Sequence, residues 1–134
     1  MRASITAILV IRQGGDHLAD TLAALTRQTR ALQTLVLVDS SADSTIGTVV
    51  EPALQGAPFE WSLNSVPYQA SFAEAVAEGM EVAFGDKDEI PESEWMWLLR
   101  DDSTPSDSAL ERLVGVVESA PLIKIAGPKQ RMTD

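Results

Sequence analysis

The stretch ITAILVI, residues 5–11, is short and almost wholly apolar. Runs of this kind are typical of strands that are buried on both faces of a parallel sheet. Other runs share this character or a weaker form of it, so the predicted strands are residues 5–11, 35–39, 59–66, 95–100 and 122–126.

Amphipathic helices are predicted between these strands, because apolar residues recur there at helical spacing. Asp16 begins the first helix, residues 44–54 form the second, Ser71 begins the third, and Ser106 or Asp107 caps the fourth. The inward stripes are Leu18, Leu22 and Leu25; Ile46, Val49 and Val50; Phe72, Val76, Met80 and Ala83; and Leu110, Leu113, Val114 and Val117. This alternation predicts an α/β fold, a three-layer sandwich around a mainly parallel sheet with right-handed crossovers.

Length and charge limit the classes of partner. The 134 residues suffice for one domain, and 45% hydrophobic with 22% charged residues is the composition of a folded protein. Ten Lys and Arg residues against twenty Asp and Glu residues give a net charge of −10. This charge repels nucleic acid and anionic membrane surfaces, so no nucleic-acid partner is expected. An anionic small molecule would need a local cation or a row of backbone N–H groups.

The residue types that are absent exclude several kinds of site. The chain has no cysteine, which excludes disulfides, thiolate metal sites and a cysteine nucleophile, and His17 is its single histidine. The apolar run at residues 5–11 is too short for a signal peptide or a membrane span. We therefore expect a cytoplasmic protein. Parts of the protein outside this chain could hold it at the inner face of the membrane.

Polar residues follow three of the predicted strands. The clusters are Arg12-Gln13, Asp39-Ser40-Ser41 and Arg100-Asp101-Asp102. Because ligands of parallel α/β sheets bind outside the carboxyl ends of the strands, these clusters predict a binding site at one edge.

Each cluster has a functional and a structural interpretation. Asp101 and Asp102 offer oxygen ligands that suit Mg²⁺ or Mn²⁺, but acids also occur where a helix N-terminus follows. Asp39 can accept a hydrogen bond from a ribose hydroxyl or a base N–H, or it can cap the second helix. Arg12 can bind a phosphate or pair with a nearby acid, and the acid pair is the commoner outcome.

The order of several segments is similar to that of one enzyme family. The strand at residues 5–10 is followed by a helix that ends in a Gln-Thr pair and by LVLVDSSADST at residues 35–45. SFAEAV follows at residues 71–76 and WLLRDDSTP at residues 97–105. Together they resemble the inverting glycosyltransferases of family 2, with patterns V-D-x-x-S-x-D-x-T and, at the metal site, L-D-x-D-x-x-P. The resemblance covers essentially the whole chain.

The resemblance implies a GT-A-like, Rossmann-like fold that binds a nucleotide sugar. By position, Asp39 contacts the nucleoside and Asp102 contacts a divalent ion, Mn²⁺ or Mg²⁺. Arg100 replaces the first Asp of the metal motif, so it weakens metal binding or holds a diphosphate oxygen itself. Asp101 can substitute as a metal ligand if the chain turns there. The predicted donor-binding residues are therefore Arg12, Asp39, Ser41 and Arg100, and the predicted metal ligands are Asp101 and Asp102.

The implied reaction is a single in-line displacement at the anomeric carbon. In the family, the catalytic base and the acceptor site lie in the second half of the domain, so no catalytic residue is assigned within this chain. We expect residues 1–134 to be the donor-binding part of a longer protein, with an incomplete fold at the C-terminus. The remaining C-terminal part would take the glycan or lipid-linked acceptor. Residues 122–126 would then form an open edge strand, through which a homodimer could assemble.

Two other interpretations stay open. A non-catalytic nucleotide-binding or interaction domain of the same fold would explain Arg100. A receiver-like phosphoacceptor domain also has acids at strand ends, but it needs an acidic pair after the first strand, where this chain has Arg12 and Gln13.

Overall fold

A four-stranded parallel sheet forms the centre of the computed structural model, which describes residues 3–13, 16–43, 45–86 and 93–119. The sheet order is β3-β2-β1-β4, and all neighbouring strands are parallel. The strands are β1 (Ser4–Ile11), β2 (Thr34–Asp39), β3 (Glu60–Ser65) and β4 (Glu94–Arg100). The strands predicted in this part of the chain are confirmed, and the one predicted at residues 122–126 lies outside the described residues.

Helices cover both faces of this sheet. They are α1 (Asp16–Thr26), α2 (Ile46–Leu54), α3 (Phe72–Phe84) and α4 (Ala109–Ser119). Residues of α1, α2 and α4 join the core on one face, and residues of α3 pack on the other. The predicted α/β sandwich is therefore confirmed. No helix within the described residues is long and apolar enough to cross a membrane.

Burial on both faces explains why β1 is apolar at nearly every position. Ile5, Leu9 and Ile11 face the core with α1, α2 and α4, whereas Ile8 and Val10 face α3. Burial of one such large aliphatic side chain stabilises the fold by about 1.5–3 kcal/mol. Because β1 also pairs with β2 on one side and β4 on the other, it anchors the whole sheet.

The two faces of β4 have different environments. Trp95 and Trp97 are partly buried against the core on one face. On the other face Met96 and Leu98 are 40% and 46% exposed. The reason is that α3 packs over β1 and β2 and leaves this side of β4 uncovered by the described residues.

The inward stripe predicted for α3 is partly wrong. Met80, predicted to face the core, is 38% exposed, whereas Ala75 and Gly79 are buried. A Cβ atom built on Gly79 would lie 2.7 Å from Cγ2 of Ile8 and 3.3 Å from Cγ2 of Val38. The helix therefore approaches the sheet so closely that only small residues fit at the centre of the contact.

We predict that Gly79→Ala lowers the free energy of unfolding by about 1 kcal/mol. Overpacking costs about 1–3 kcal/mol, which exceeds the gain of up to about 1 kcal/mol in helix propensity. The measurement is urea denaturation. Gly115→Ala is the matched control, because a Cβ there meets no atom within 4 Å, and it should stabilise the chain by about 0.5–1 kcal/mol. Equal stabilisation by both substitutions would contradict the close approach of α3.

Candidate functional site

The carboxyl ends of β2, β1 and β4 lie side by side, and we call this side of the sheet the carboxyl edge. The register pairs Ile11 with Asp39 and Val10 with Arg100, so the three strands end nearly level. The prediction that Asp39 and Asp102 lie at the same edge is therefore confirmed. All the predicted site residues lie there, namely Arg12, Asp39, Ser41, Arg100, Asp101 and Asp102.

Two consecutive acid-anchored turns form the loop after β2. Asp39 Oδ1 accepts hydrogen bonds from Ser41 N at 2.8 Å and from Ser41 Oγ at 2.7 Å. Asp43 Oδ1 accepts in the same way from Thr45 N at 2.8 Å and Thr45 Oγ1 at 2.5 Å. The hydroxyl and then the backbone N–H of Thr45 hold the pKa of Asp43 below its ordinary value of 3.8. Asp39 thus stabilises its own turn, and the alternative that it caps α2 is wrong.

Asp101 connects the end of β4 to the loop after β1. Its side chain is buried, and its Oδ2 accepts hydrogen bonds from Arg12 N at 3.0 Å and Gln13 N at 2.8 Å. From α1, Thr21 Oγ1 lies 3.1 Å from the carbonyl oxygen of Asp101 and 2.6 Å from that of Ser103. Sequence reasoning missed this role, because the bonded groups are backbone amides nearly ninety positions away.

Arg12 contacts an aromatic ring and backbone carbonyls. Its guanidinium carbon lies 4.1 Å from the centroid of the Tyr68 ring. Its Nη1 donates to the carbonyl oxygen of Tyr68 and lies 3.5 Å from that of Ala70. In the part of the chain that the structure describes, the ion pairs are Arg27–Asp107 and Arg30–Glu118, so the expected pairing of Arg12 with an acid is wrong.

Arg100 has a similar aromatic contact. Its guanidinium carbon lies 4.8 Å from the centroid of the Phe72 ring, and Phe72 is the first residue of α3. The sequence assigned Phe72 to the core, and Phe72 does pack against the buried residues beneath α3, whereas the sequence gave Tyr68 no role. The position of Tyr68 between a predicted strand and the predicted helix start at Ser71 was a usable signal of a role at the site. A loop that connects a strand to the following helix can lie at the edge of the sheet.

An open cleft of about 530 Å³ lies at the carboxyl edge. This volume is within the range of about 300–1,000 Å³ that is usual for ligand sites. The lining residues are Arg12, Gln13, Ser41, Ala42, Asp43 and Tyr68. The cleft therefore brings together the loops after β1 and β2 and the segment that leads into α3.

The two predicted metal ligands, Asp101 and Asp102, have different surroundings. Asp102 is exposed, but the carboxylate of Asp101 bonds to backbone amides, and Arg100 places a cation beside them. Among the described residues, no group of three or more His, Cys, Asp and Glu side chains could hold a metal ion. The hydrogen bonds of Asp101 favour its role in holding the loop after β1, and Asp101 and Asp102 as metal ligands stay a prediction.

Structures of Staphylococcus aureus TarS are similar to this chain over 98% of its length. Three of them have TM-scores of 0.61, 0.62 and 0.63 at 16%, 16% and 15% sequence identity. The chain spans 23% of the first TarS chain and 38% of the other two, one of which was solved in complex with UDP. No family model and no curated protein matches the chain. The likeness shows that the chain shares its parallel α/β fold with a part of TarS.

We predict that Asp101→Ala lowers the free energy of unfolding by about 1.5–3 kcal/mol. Hydrogen bonds to a charged group contribute about this much, and the substitution leaves two backbone N–H groups without their acceptor. The measurement is urea denaturation. Asp102→Ala is the control, since its exposed side chain should change stability by no more than about 0.5 kcal/mol. Equal losses for the two variants would contradict the bridging role of Asp101.

Proposed function

We propose that the chain is the donor-binding part of a glycosyltransferase domain and binds a nucleoside-diphosphate sugar at the carboxyl edge. The cleft beside the ends of β1 and β2 carries this proposal, because it combines an arginine, a tyrosine and polar turns. Ligands of open α/β sheets bind at such edges. The UDP complex of a protein with a similar fold supports a nucleotide as the ligand.

The nucleoside portion is assigned to the side of the cleft near β2. Asp39 Oδ1 is used by Ser41, whereas Oδ2 has no hydrogen bond to any described residue. That oxygen can accept from a base N–H or a ribose hydroxyl. Tyr68, 52% exposed, supplies an aromatic surface in the cleft, which is also lined by Ser41, the hydrogen-bond partner of Asp39. The turn at Ser41 keeps the carboxylate in place before the ligand arrives, which reduces the entropy lost on binding.

The proposed reaction is an inverting, in-line displacement at the anomeric carbon with the nucleoside diphosphate as leaving group. It needs a base within hydrogen-bond reach of the acceptor hydroxyl. His17 lies near the start of α1 with an exposed side chain, and we do not assign it as the base. We assign no catalytic residue within this chain. Mn²⁺ or Mg²⁺ stays the predicted cofactor, with Asp102 as its exposed ligand, and no step of the proposal depends on it.

A second candidate is a non-catalytic nucleotide-binding domain of the same fold. The observation in its favour is Arg100, a cation where the resemblance implies the first metal-binding acid. The two candidates share the donor site and differ in turnover. Sugar transfer by a longer natural protein that contains this chain would favour the enzyme over the non-catalytic domain.

We predict that Asp39→Asn weakens binding of UDP and of uridine by about tenfold, because an acceptor oxygen becomes an N–H donor. Asparagine keeps the oxygen that accepts from Ser41, so the turn should persist. Isothermal titration calorimetry measures both affinities. Asp20→Asn is the control, since Asp20 is exposed on α1 outside the cleft. Unchanged affinity in Asp39→Asn, with wild-type binding present, would remove Asp39 from the site.

We also predict that residues 1–134 alone transfer no sugar. Asp39, Asp43 and Asp101 hold turns or a loop, and Asp102 is assigned to the metal, which leaves no edge acid as base for an acceptor. The assay incubates the chain with a panel of nucleotide sugars and glycan or lipid-linked acceptors, and a longer parent protein serves as the positive control. Robust turnover by the 134 residues would place a catalytic base within them.

A further inference from the structure

Two arginines flank the point where the order of the sheet reverses. The chain proceeds from β1 outward to β2 and β3, and then returns to place β4 on the other side of β1. Arg12 directly follows β1, and Arg100 is the last residue of β4. Ligands of open α/β sheets bind at such a switch point, so these side chains are placed where a ligand would lie.

Among the described residues, no acid at this edge forms an ion pair with either arginine. Asp39 bonds to Ser41, and Asp101 bonds to the backbone amides after β1. Within the described residues neither Arg12 nor Arg100 takes part in an ion pair, although the chain carries a net charge of −10. Two exposed guanidinium groups that form no ion pair with a described residue, at one edge of an acidic protein, are suited to attract an anion.

Aromatic stacking leaves the N–H donors of both guanidinium groups available to a phosphate group. Arg12 lies over Tyr68, in the segment that links β3 to α3, and Arg100 lies over Phe72, the first residue of α3. A guanidinium that lies over a ring keeps its in-plane N–H donors, which can bind phosphate oxygens in pairs. Arg12 uses Nη1 on backbone carbonyls, and this fixes its position while its other donors remain.

On the basis of the proposed function, we infer that Arg12 and Arg100 hold the diphosphate of the donor directly. They supply the positive charge that the resemblance assigns to a divalent cation. This inference follows from the donor set, since Asp101 is bonded to backbone amides, Asp102 is the one exposed acid of the segment, and a stacked arginine stands where the resemblance implies the first metal-binding acid. Binding of the donor is then independent of Mn²⁺ and Mg²⁺.

The test titrates the whole chain by calorimetry in EDTA and again with Mn²⁺. The probes are UDP, ADP, GDP and dTDP, their nucleosides, and inorganic pyrophosphate, which reports on the anion site whatever the base. We expect a nucleoside diphosphate and pyrophosphate to bind in EDTA, and Mn²⁺ to change their affinity by less than about threefold.

Arg100→Gln is the decisive variant. It should weaken binding of the nucleoside diphosphate and of pyrophosphate by about tenfold or more, because one charge-assisted contact is lost. The affinity for the nucleoside should change by less than about twofold. The affinity of Arg100→Lys for the diphosphate should lie between those of the wild type and of Arg100→Gln, because lysine keeps the charge without the planar donors. Arg112→Gln is the matched control, since it removes the same charge from an exposed position on α4 and should change no affinity. Near-UV circular dichroism checks that each variant folds.

The outcomes separate this inference from the proposed function. Nucleoside diphosphate binding that is lost in EDTA, restored by Mn²⁺ and abolished by Asp102→Asn would assign the diphosphate to a metal, and the inference would be wrong with the donor site intact. Unaltered affinity in Arg100→Gln would also overturn it. If neither the nucleosides nor their diphosphates bind in either condition, the proposed function itself fails.

Discussion

β1 pairs with a strand on each side and is covered on each face, and the carboxyl edge depends on this double constraint. Pairing with β2 brings Ile11 level with Asp39, and pairing with β4 brings Val10 level with Arg100. A slip of one residue would exchange the side chains of β1 between its two covered faces, where they would no longer fit the close packing of their neighbours. The register of the core therefore sets which polar residues meet at the edge, and Arg12 follows directly from it.

Backbone amides, rather than arginines, hold the edge acids. Asp101 holds the loop after β1, and Asp39 holds its own turn after β2. Each arrangement provides a hydrogen-bond acceptor for backbone N–H groups that would otherwise have no partner in an irregular loop. It also leaves Arg12 and Arg100 to aromatic rings, so positive charge stays exposed in a protein that is strongly acidic overall. This division between fixed acids and available arginines is the basis of the proposed donor site.

Much of the fold and the location of the candidate site could be predicted from the sequence. The described strands, the helices between them and the polar edge all follow from apolar runs and the residues that end them. The inward stripe of α3 was predicted less well, since hydrophobic periodicity selects large residues such as Met80, whereas close packing on Ile8 requires Gly79. The stacking of Arg12 on Tyr68 was missed, because the two residues are 56 positions apart and share no local pattern.

By itself, the sequence determined the parallel α/β class, the edge at which polar residues gather and the residues that gather there. These properties follow from local periodicity and from the rule that adjacent parallel strands end on the same side. Only the tertiary structure decided what each polar side chain does at that edge. Asp101 binds amides and Arg100 lies over Phe72 because separate loops converge in space, and the choice of partner depends on distances that chain order does not contain.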